Sequence, residues 1–536
     1  MPKLQTNGTK QNRTTYIILL LWAAACLAML VADWRCWAVN RLDSDMASEQ
    51  VLANLLAQEG GALSANWYYS TELRVVNTQL VMAPLFRLFS DWHTVRVAGS
   101  IILMLLYLAA WLWFGRSAKL KYGGLLGAGL LALPYGELYR QYVLEGLYYI
   151  PHIAISFVVL GCAVRILYGG RRVPLAIGMA VFSFAAALGG PRQLFILNIP
   201  LTAAVLLLCW MDAPQGSTLR QKAEWAMRSP GGSLLAASLA ADAAALAGYA
   251  VNVKMLSEKY YFQDQGYVAF TGLNLDRLQW FANAVLRSFG WTEGKVFSLT
   301  AVFDLAALAL LVFCFVFSLR LVRGKAPLAH RLVGAFFLAG AACFAMLYGL
   351  TNSGHSDRYL LPLAILFVPL LEIALADCPP KYRPDARFLT VLLAAVLLLR
   401  AGTDYRAAAK AENPNRGAAE FLVENGYRDG YASFWDGNII TELTNGALNV
   451  WTLTPNSVPE LRPWLQVTQH LQNPPQGKVF FVISKWEANG ERQPTTQELA
   501  DAMPDDALIY EDESVKIYGF ASDEAMRQQC GFEAFP

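Results

Sequence analysis

Two carboxylates, Asp43 and Asp45, follow the first long apolar segment of the chain. Two carboxylates together could hold a hard divalent cation through oxygen ligands, although two alone are a weak signal. Residues 46–58, which follow them, place apolar side chains on one face of a helix and polar side chains on the other. This pattern predicts a short amphipathic helix lying along a bilayer surface. An aspartate at its start could also be only a helix cap, and this alternative stays open for Asp45.

Four arginines are expected at the outer lipid–water boundary, where a guanidinium either extends to lipid headgroups or binds a phosphate. They are Arg96, Arg140, Arg192 and Arg358. For Arg140, the contact with lipid headgroups is the preferred interpretation. Arg358 lies in a polar turn beside His355 and Asp357, immediately before an expected helix, which predicts an anion site built from guanidinium and backbone N–H groups. Arg192 and Arg96 are further candidate contacts for that phosphate.

Aromatic side chains recur on the same side of the expected bilayer. Trp67, Tyr68 and Tyr69 either form part of an interfacial aromatic belt or provide a platform on which a sugar ring stacks. Tyr359 and His355 beside Arg358, and Glu72 behind the aromatic run, are the other candidate substrate contacts. The histidines show no metal-ligand spacing, so the only cation site that the sequence suggests is a weak one at Asp43 and Asp45, for Mg²⁺ or Mn²⁺.

The composition indicates a membrane protein. Of 536 residues, 55% are hydrophobic and only 16% are charged, whereas soluble domains average about 25% charged residues. The net charge of +2 implies no nucleic-acid partner. The eight cysteines include no CxxC pair, and most lie inside apolar segments, so neither a zinc site nor a disulfide framework is indicated.

Apolar runs predict about eleven crossings of ~20 residues each. They lie near 15–36, 93–114, 122–136, 147–168, 173–189, 193–211, 232–253, 296–319, 332–350, 359–377 and 388–403. With a cytoplasmic N-terminus, every predicted inner loop is rich in lysine and arginine, as the positive-inside rule requires. The long loops 37–92 and 254–295 and the tail then lie outside, where long ordered loops usually carry function.

The tail after residue 403 has a different pattern, typical of a small α/β domain. A helix is predicted at 418–424, strands at 431–435 and 478–484, a capping box at 495–498, and a hairpin from 507–510 and 515–520. The predicted domains are therefore a transmembrane module, 1–403, with the two outer loops, and an exoplasmic soluble α/β domain, 404–536.

Taken together, the chain resembles the integral-membrane glycosyltransferases of the GT-C superfold, in the group of protein O-mannosyltransferases and aminoarabinose transferases. Three features carry the resemblance: Asp43-Ser-Asp45 soon after the first span, many spans ending in an exoplasmic α/β domain, and the turn His355-Ser-Asp-Arg-Tyr-Leu-Leu-Pro362 entering a late span. Much of the group has Asp-Glu where this chain has Asp45-Met46. Asp45 is preferred as the catalytic acid, and Asp43 is the second choice.

The resemblance implies an inverting enzyme that moves a sugar from a polyprenyl-phosphate donor to an acceptor hydroxyl on the outer face of the membrane. The acid would activate the hydroxyl, and Arg358 would stabilise the departing lipid phosphate. The acceptor would be a glycolipid, a cell-wall polymer or a protein. A transporter or flippase of a lipid-linked sugar or polymer is the alternative, and a non-enzymatic assembly or sensor protein ranks last.

Overall fold

The computed structural model describes residues 6–216, 218–262, 268–354, 356–454, 459–485 and 499–532, with side chains from Arg13 onward apart from Leu219. The chain divides into two compact units. The first comprises Met1–Ala32, Leu103–Lys254 and Gln265–Asp404, and the second comprises Asp33–Ile102, Met255–Asp264 and Tyr405–Pro536. The last segment of the second unit thus begins at Tyr405, next to the domain boundary predicted between residues 403 and 404. The second unit also contains the whole of the loop 37–92, which was predicted to belong to the transmembrane module.

Helices make up most of the described chain. In order they are α1 Thr6–Cys36, α2 Ser44–Glu59, α3 Gln79–Phe86, α4 Trp92–Ser117, α5 Leu125–Leu131, α6 Glu137–Tyr139, α7 Ile150–Leu167, α8 Arg172–Ala187, α9 Ile199–Asp212, α10 Leu219–Arg228, α11 Pro230–Val251, α12 Leu275–Ser288, α13 Leu299–Arg323, α14 Leu328–Leu350, α15 Leu361–Ala364, α16 Phe367–Asp377, α17 Arg383–Ala408, α18 Arg416–Glu424, α19 Phe434–Leu443 and α20 Asp523–Cys530.

Within the described residues, nine helical stretches are long and apolar enough to cross a membrane. They coincide with nine of the eleven predicted segments, so the prediction of a polytopic helical membrane protein is confirmed. The other two segments fall on shorter helices. The segment 173–189 overlaps the 16-residue α8. The segment 122–136 contains α5, whose seven residues rise only about 10 Å and cannot cross a bilayer alone. The count of eleven crossings therefore stays a prediction.

Two acidic side chains inside apolar helices have polar partners, as their cost in lipid requires. The carboxylate of Asp242 in α11 accepts a hydrogen bond of 2.7 Å from the hydroxyl of Thr202 in α9. Asp304 in α13 is buried and accepts hydrogen bonds from the backbone N–H groups of Thr292, at 2.5 Å, and Gly294, at 2.8 Å. Asp304 therefore fixes the loop that precedes its own helix.

The second unit contains a six-stranded mixed sheet. The strands of the described chain are β1 Trp67–Tyr68, β2 Asp429–Ser433, β3 Asn449–Thr454, β4 Glu460–Leu461, β5 Gln466–Val467, β6 Val479–Ser484, β7 Leu508–Glu511 and β8 Val515–Phe520. The sheet order is β4-β3-β2-β6-β8-β7, with β2 parallel to both β3 and β6 and the remaining pairs antiparallel. β1 and β5 pair separately as an antiparallel ribbon.

Both faces of this sheet are covered by apolar cores, because successive strand residues point to opposite sides. Ala432 and Phe480 belong to the cluster on one face, and Tyr431 and Phe481 belong to the cluster on the other. The predicted strands at 431–435 and 478–484, the helix at 418–424 and the C-terminal hairpin are confirmed, except that residues 434 and 435 begin α19. The predicted capping box at 495–498 lies outside the described residues.

Helix α2 packs against α19 in the interior of the second unit. Its polar residues Ser48, Glu49 and Gln50 are as buried as its apolar residues Leu52 and Leu56. The prediction that residues 46–58 lie along the bilayer surface is therefore wrong. The polar side is satisfied inside the protein, where Glu49 accepts a hydrogen bond from the Thr78 hydroxyl and pairs with Arg74.

Close packing of α19 on the sheet holds its N-terminus in place. Gly437 is the contact point, because a Cβ atom at this position would approach the Thr452 Cγ2 atom of β3 to 2.8 Å. Since α2 lies against α19, this contact also determines where the first turn of α2 can lie.

Candidate functional site

Asp43 and Asp45 take different roles at the start of α2. Asp43 is the N-cap, and its Oδ1 atom accepts a hydrogen bond of 2.8 Å from the backbone N–H of Met46. Between them, Ser44 donates its hydroxyl hydrogen bond to the carbonyl of Phe434 at the start of α19. Asp45 lies in the first turn and is half-buried. Asp43 is therefore the residue that caps the helix, and the cap interpretation of Asp45 is not needed to explain the turn.

Arg462 is a charged neighbour of Asp45 that the sequence analysis did not identify. Its guanidinium lies 4.6 Å from the ring centroid of Phe434 and 5.4 Å from that of Trp464. Burial lowers the pKa of Arg462, and the negative charge of Asp45 opposes that shift. The only signal in the sequence is an arginine two residues before a tryptophan, which does not distinguish it from other surface arginines.

Arg96 is engaged in a buried ion pair in the second unit. Its Nε and Nη2 atoms lie 2.5 and 2.6 Å from the two carboxylate oxygens of Glu442, and Nη2 also donates to the Met46 carbonyl at 3.0 Å. Burial raises the pKa of Glu442, and the charge of Arg96 opposes this shift. The fork of Arg96 is thus used to hold α4, α2 and α19 together. This corrects the predicted role of Arg96 as a phosphate contact.

The ion pair predicts a large stability effect without a direct effect on chemistry. Arg96→Met should lower the free energy of unfolding by about 3–5 kcal/mol, because it leaves the buried Glu442 carboxylate without its counter-ion. Chemical denaturation of the full-length protein in detergent, followed by tryptophan fluorescence, measures this. The double variant Arg96→Met/Glu442→Leu should recover most of the loss. If the Arg96→Met protein were as stable as the wild type but bound its donor weakly, Arg96 would instead be a contact to the donor phosphate.

The aromatic run after α2 is mostly structural. Trp67 and Tyr69 are fully buried, and the Tyr69 hydroxyl accepts a hydrogen bond of 2.9 Å from the Ser64 N–H. Neither ring can stack on a sugar, which corrects that prediction for these two residues. Tyr68 is half-buried, with its ring centroid 5.1 Å from that of the exposed Tyr261. Tyr68 therefore keeps its place as a candidate sugar contact, as does the half-buried Glu72.

In the first unit, Arg192 and Arg358 share one aromatic neighbour. The guanidinium carbons of Arg192 and Arg358 lie 4.9 and 6.0 Å from the ring centroid of Tyr359. Arg192 also lies 5.1 Å from the Tyr149 ring, and Arg358 lies 5.2 Å from the Tyr142 ring. Stacking on aromatic faces orients a guanidinium while leaving its in-plane N–H groups directed outward. The five residues, named here the arginine–tyrosine cluster, concentrate positive charge within an aromatic frame.

Turns rather than long helices position the two cations. Arg192 follows Gly190, whose φ of +140° is a conformation that favours glycine, in the turn between α8 and the π-helical turn Leu194–Asn198. Arg358 lies in the 3-10 turn Asp357–Leu360, which continues into the four-residue α15. The predicted helix N-terminus at Arg358 is therefore only a short turn. Asp357 pairs with Arg287 at 3.0 Å, and His355 lies outside the described residues.

Arg140 is accounted for by acidic partners within the first unit. Its guanidinium lies 3.0 Å from Glu145 and 3.8 Å from both Glu137 and Asp404. This ion-pair network replaces the predicted headgroup contact.

The described residues contain no group of three or more histidine, cysteine, aspartate or glutamate side chains that could hold a metal ion. Asp43 uses Oδ1 as a helix cap, which leaves fewer oxygen atoms for the divalent cation that the sequence suggested. The weak divalent-cation site at Asp43 and Asp45 stays a prediction.

Comparison with solved structures identifies the fold. The apo structure of ArnT from Cupriavidus metallidurans matches with a TM-score of 0.54 and 11% identity, over 95% of this chain and 98% of that chain. ArnT bound to undecaprenyl phosphate matches with a TM-score of 0.50 and 12% identity, over 94% and 98%. An oligosaccharyltransferase from Archaeoglobus fulgidus, in complex with Zn and sulfate, matches with a TM-score of 0.46 and 11% identity. The match covers 87% of this chain and 68% of that chain.

No protein-family model and no curated protein matches the sequence. The likeness to ArnT nevertheless extends over nearly the whole of both chains, including the helical and the sheet-containing parts. The chain is therefore an integral membrane protein with the GT-C fold, which it shares with ArnT.

Proposed function

We propose that this protein is a membrane glycosyltransferase that moves a sugar from a polyprenyl-phosphate donor to an acceptor hydroxyl at the outer face of the membrane. The observation that carries the proposal is the arginine–tyrosine cluster, in which Arg192 and Arg358 lie against the same tyrosine ring. Two oriented guanidiniums at the ends of apolar helices suit the phosphate of a lipid whose tail stays in the bilayer. The shared fold adds support, because ArnT binds undecaprenyl phosphate.

Asp45 is the proposed general base. Asp43 is the N-cap of α2, and Asp45 lies in the first turn beside the Arg462 cation. In the proposed reaction Asp45 takes the proton of the acceptor hydroxyl as that oxygen forms a bond to the anomeric carbon. The bond from this carbon to the phosphate oxygen breaks, and the lipid phosphate leaves with the electron pair. A single displacement of this kind inverts the anomeric centre.

Arg358 and Arg192 would stabilise the charge that grows on the departing phosphate. Tyr359 would orient both guanidiniums, and Tyr68, Glu72 and His355 are proposed contacts to the sugar or the acceptor. The basic inner loops support a cytoplasmic N-terminus, with the reaction and the sheet-containing tail on the exoplasmic side. The tail would then help to select the acceptor, which is a glycolipid, a cell-wall polymer or a protein.

The direct test incubates the purified full-length protein with a panel of polyprenyl-phosphate sugars and candidate acceptors, with and without EDTA. Mass spectrometry should detect one acceptor shifted by a single sugar residue, together with the free polyprenyl phosphate. The EDTA arm reports whether a divalent cation is needed. A labelled lipid-linked sugar that crosses vesicles without forming any product would favour the transporter alternative and contradict the enzyme proposal.

A further inference from the structure

A basic cavity lies in the first unit at the side that the charge pattern places in the cytoplasm. It measures about 430 Å³ and is bounded by the C-terminal ends of α4 and α7 and the N-terminal end of α8. Four cations line it, Arg116, Lys119, Arg165 and Arg171, and its described lining includes no carboxylate. The cavity has no part in the proposed sugar transfer.

The surroundings of the cavity hold two of these cations in position. Arg165 donates a hydrogen bond of 2.9 Å to the Ser117 hydroxyl, and its guanidinium lies 3.8 Å from the Trp113 ring centroid. Lys119 has a φ of +55°, an unusual backbone conformation for a lysine, and its ammonium lies 3.9 Å from the Tyr168 ring centroid. This conformation ends α4, because the backbone N–H of Leu120 donates to the Gly115 carbonyl at 2.9 Å and that of Lys119 donates to the Arg116 carbonyl at 3.2 Å.

Helix α8 contributes a second attraction for an anion. Its N-cap is Arg171, the cap makes no side-chain hydrogen bond, and the first turn contains no acidic residue. The positive end of the helix dipole therefore lies next to two arginines, Arg171 and Arg172, an arrangement that an anion would stabilise. Asp377 interacts electrostatically with Tyr168, but its own carboxylate lies 3.1 Å from His330.

An apolar stripe runs from this cavity along α8. Val173, Ile177 and Val181 are spaced by four residues, so they share one helix face, and they are 69%, 58% and 58% exposed. Pro174 and Leu175 connect the stripe to the cavity wall. A ligand that places an anionic group in the cavity could thus lay hydrocarbon chains along the helix.

We propose that this cavity binds the phosphate headgroup of an anionic phospholipid of the inner leaflet, with the acyl chains along the exposed face of α8. A free phosphate ion would be attracted by the same cations, but it would make no use of the apolar stripe. The lipid would fasten α4, α7 and α8 to one another at their inner ends.

The test measures lipid retention by the full-length protein in mixed micelles of phosphatidylglycerol and phosphatidylcholine, using native mass spectrometry. The wild type should retain phosphatidylglycerol preferentially. Lys119→Gln/Arg171→Gln should reduce this retention tenfold or more, because each basic side chain near an anionic headgroup adds to its binding. Both side chains are exposed, so the substitutions leave the packing intact. Lys119→Arg/Arg171→Lys keeps both charges and should retain the lipid.

Arg323→Gln/Lys325→Gln is the matched control, because both residues are exposed at another predicted inner loop and do not line the cavity. Retention within twofold of the wild type is expected. An equal loss in this control would reduce the effect to general surface charge and overturn the proposal. Unchanged retention in Lys119→Gln/Arg171→Gln would overturn it as well. So would stabilisation by inorganic phosphate alone that depends on the same two residues, since it would identify a soluble anion site.

Discussion

Asp45→Asn is expected to lower sugar transfer by about 10²–10⁴-fold, the range for loss of a general base, while Asp43→Asn retains most of the activity. Each of the two substitutions removes one negative charge, and the two positions are two residues apart. They differ in structural role, because Asp43 is the N-cap of α2 and Asp45 lies in its first turn. Asp43 accepts the Met46 N–H as an N-cap, and asparagine caps a helix about as well as aspartate. Asp45 lies in the first turn of α2 beside the Arg462 cation, and its carboxylate is the proposed general base.

Initial rates for both variants, measured with the donor and acceptor found in the panel experiment, provide the test. Asp43→Ala adds a stability control, because loss of the cap should cost about 1 kcal/mol in the free energy of unfolding. Equal and full activity in Asp45→Asn, and in the double variant with Asp43→Asn, would remove the general base from the mechanism. A reversed order, with Asp43→Asn inactive and folded, would move the base to Asp43.

Arg358→Met and Arg192→Met are expected to lower turnover by about 10²–10³-fold each, as the removal of one preorganised charge beside a developing anion does. Both should also weaken the binding of polyprenyl phosphate measured by calorimetry, because the phosphate is present in donor and product alike. Arg358→Lys and Arg192→Lys keep the charge but lose the planar fork, so their losses should be smaller.

Tyr359→Phe retains the ring that lies against both guanidiniums and should keep donor binding. Arg320→Met is the matched charge control, since Arg320 is exposed in the last turn of α13, at a predicted inner loop. If the affinity for polyprenyl phosphate is unchanged in both Arg358→Met and Arg192→Met, the arginine–tyrosine cluster does not bind the phosphate. The base assignment could still stand, because the Asp45 experiment measures a different step.

Patterns of short range in the sequence predicted the class of this protein and most of its elements. A bilayer requires about 20 apolar residues for each crossing, and nine of the eleven predicted segments are long apolar helices of the described chain. The strand β6 and the hairpin of β7 and β8 were likewise predictable, because alternation and turn chemistry are local. The acidic turn at the start of α2 could be found in the same way, since an N-cap and its helix are neighbours in sequence.

Tertiary structure alone decided which of the candidate side chains are buried or held in ion pairs inside the protein. Arg96 pairs with Glu442, which lies 346 residues later in the chain. The sequence around either residue does not indicate this partner. Trp67 and Tyr69 have the types that stack on sugars, but they are buried. The meeting of Arg192 with Arg358 and Tyr359 likewise depends on two turns brought together by packed helices. Burial and long-range pairing are properties of the packed chain, so hydropathy and spacing cannot encode them position by position.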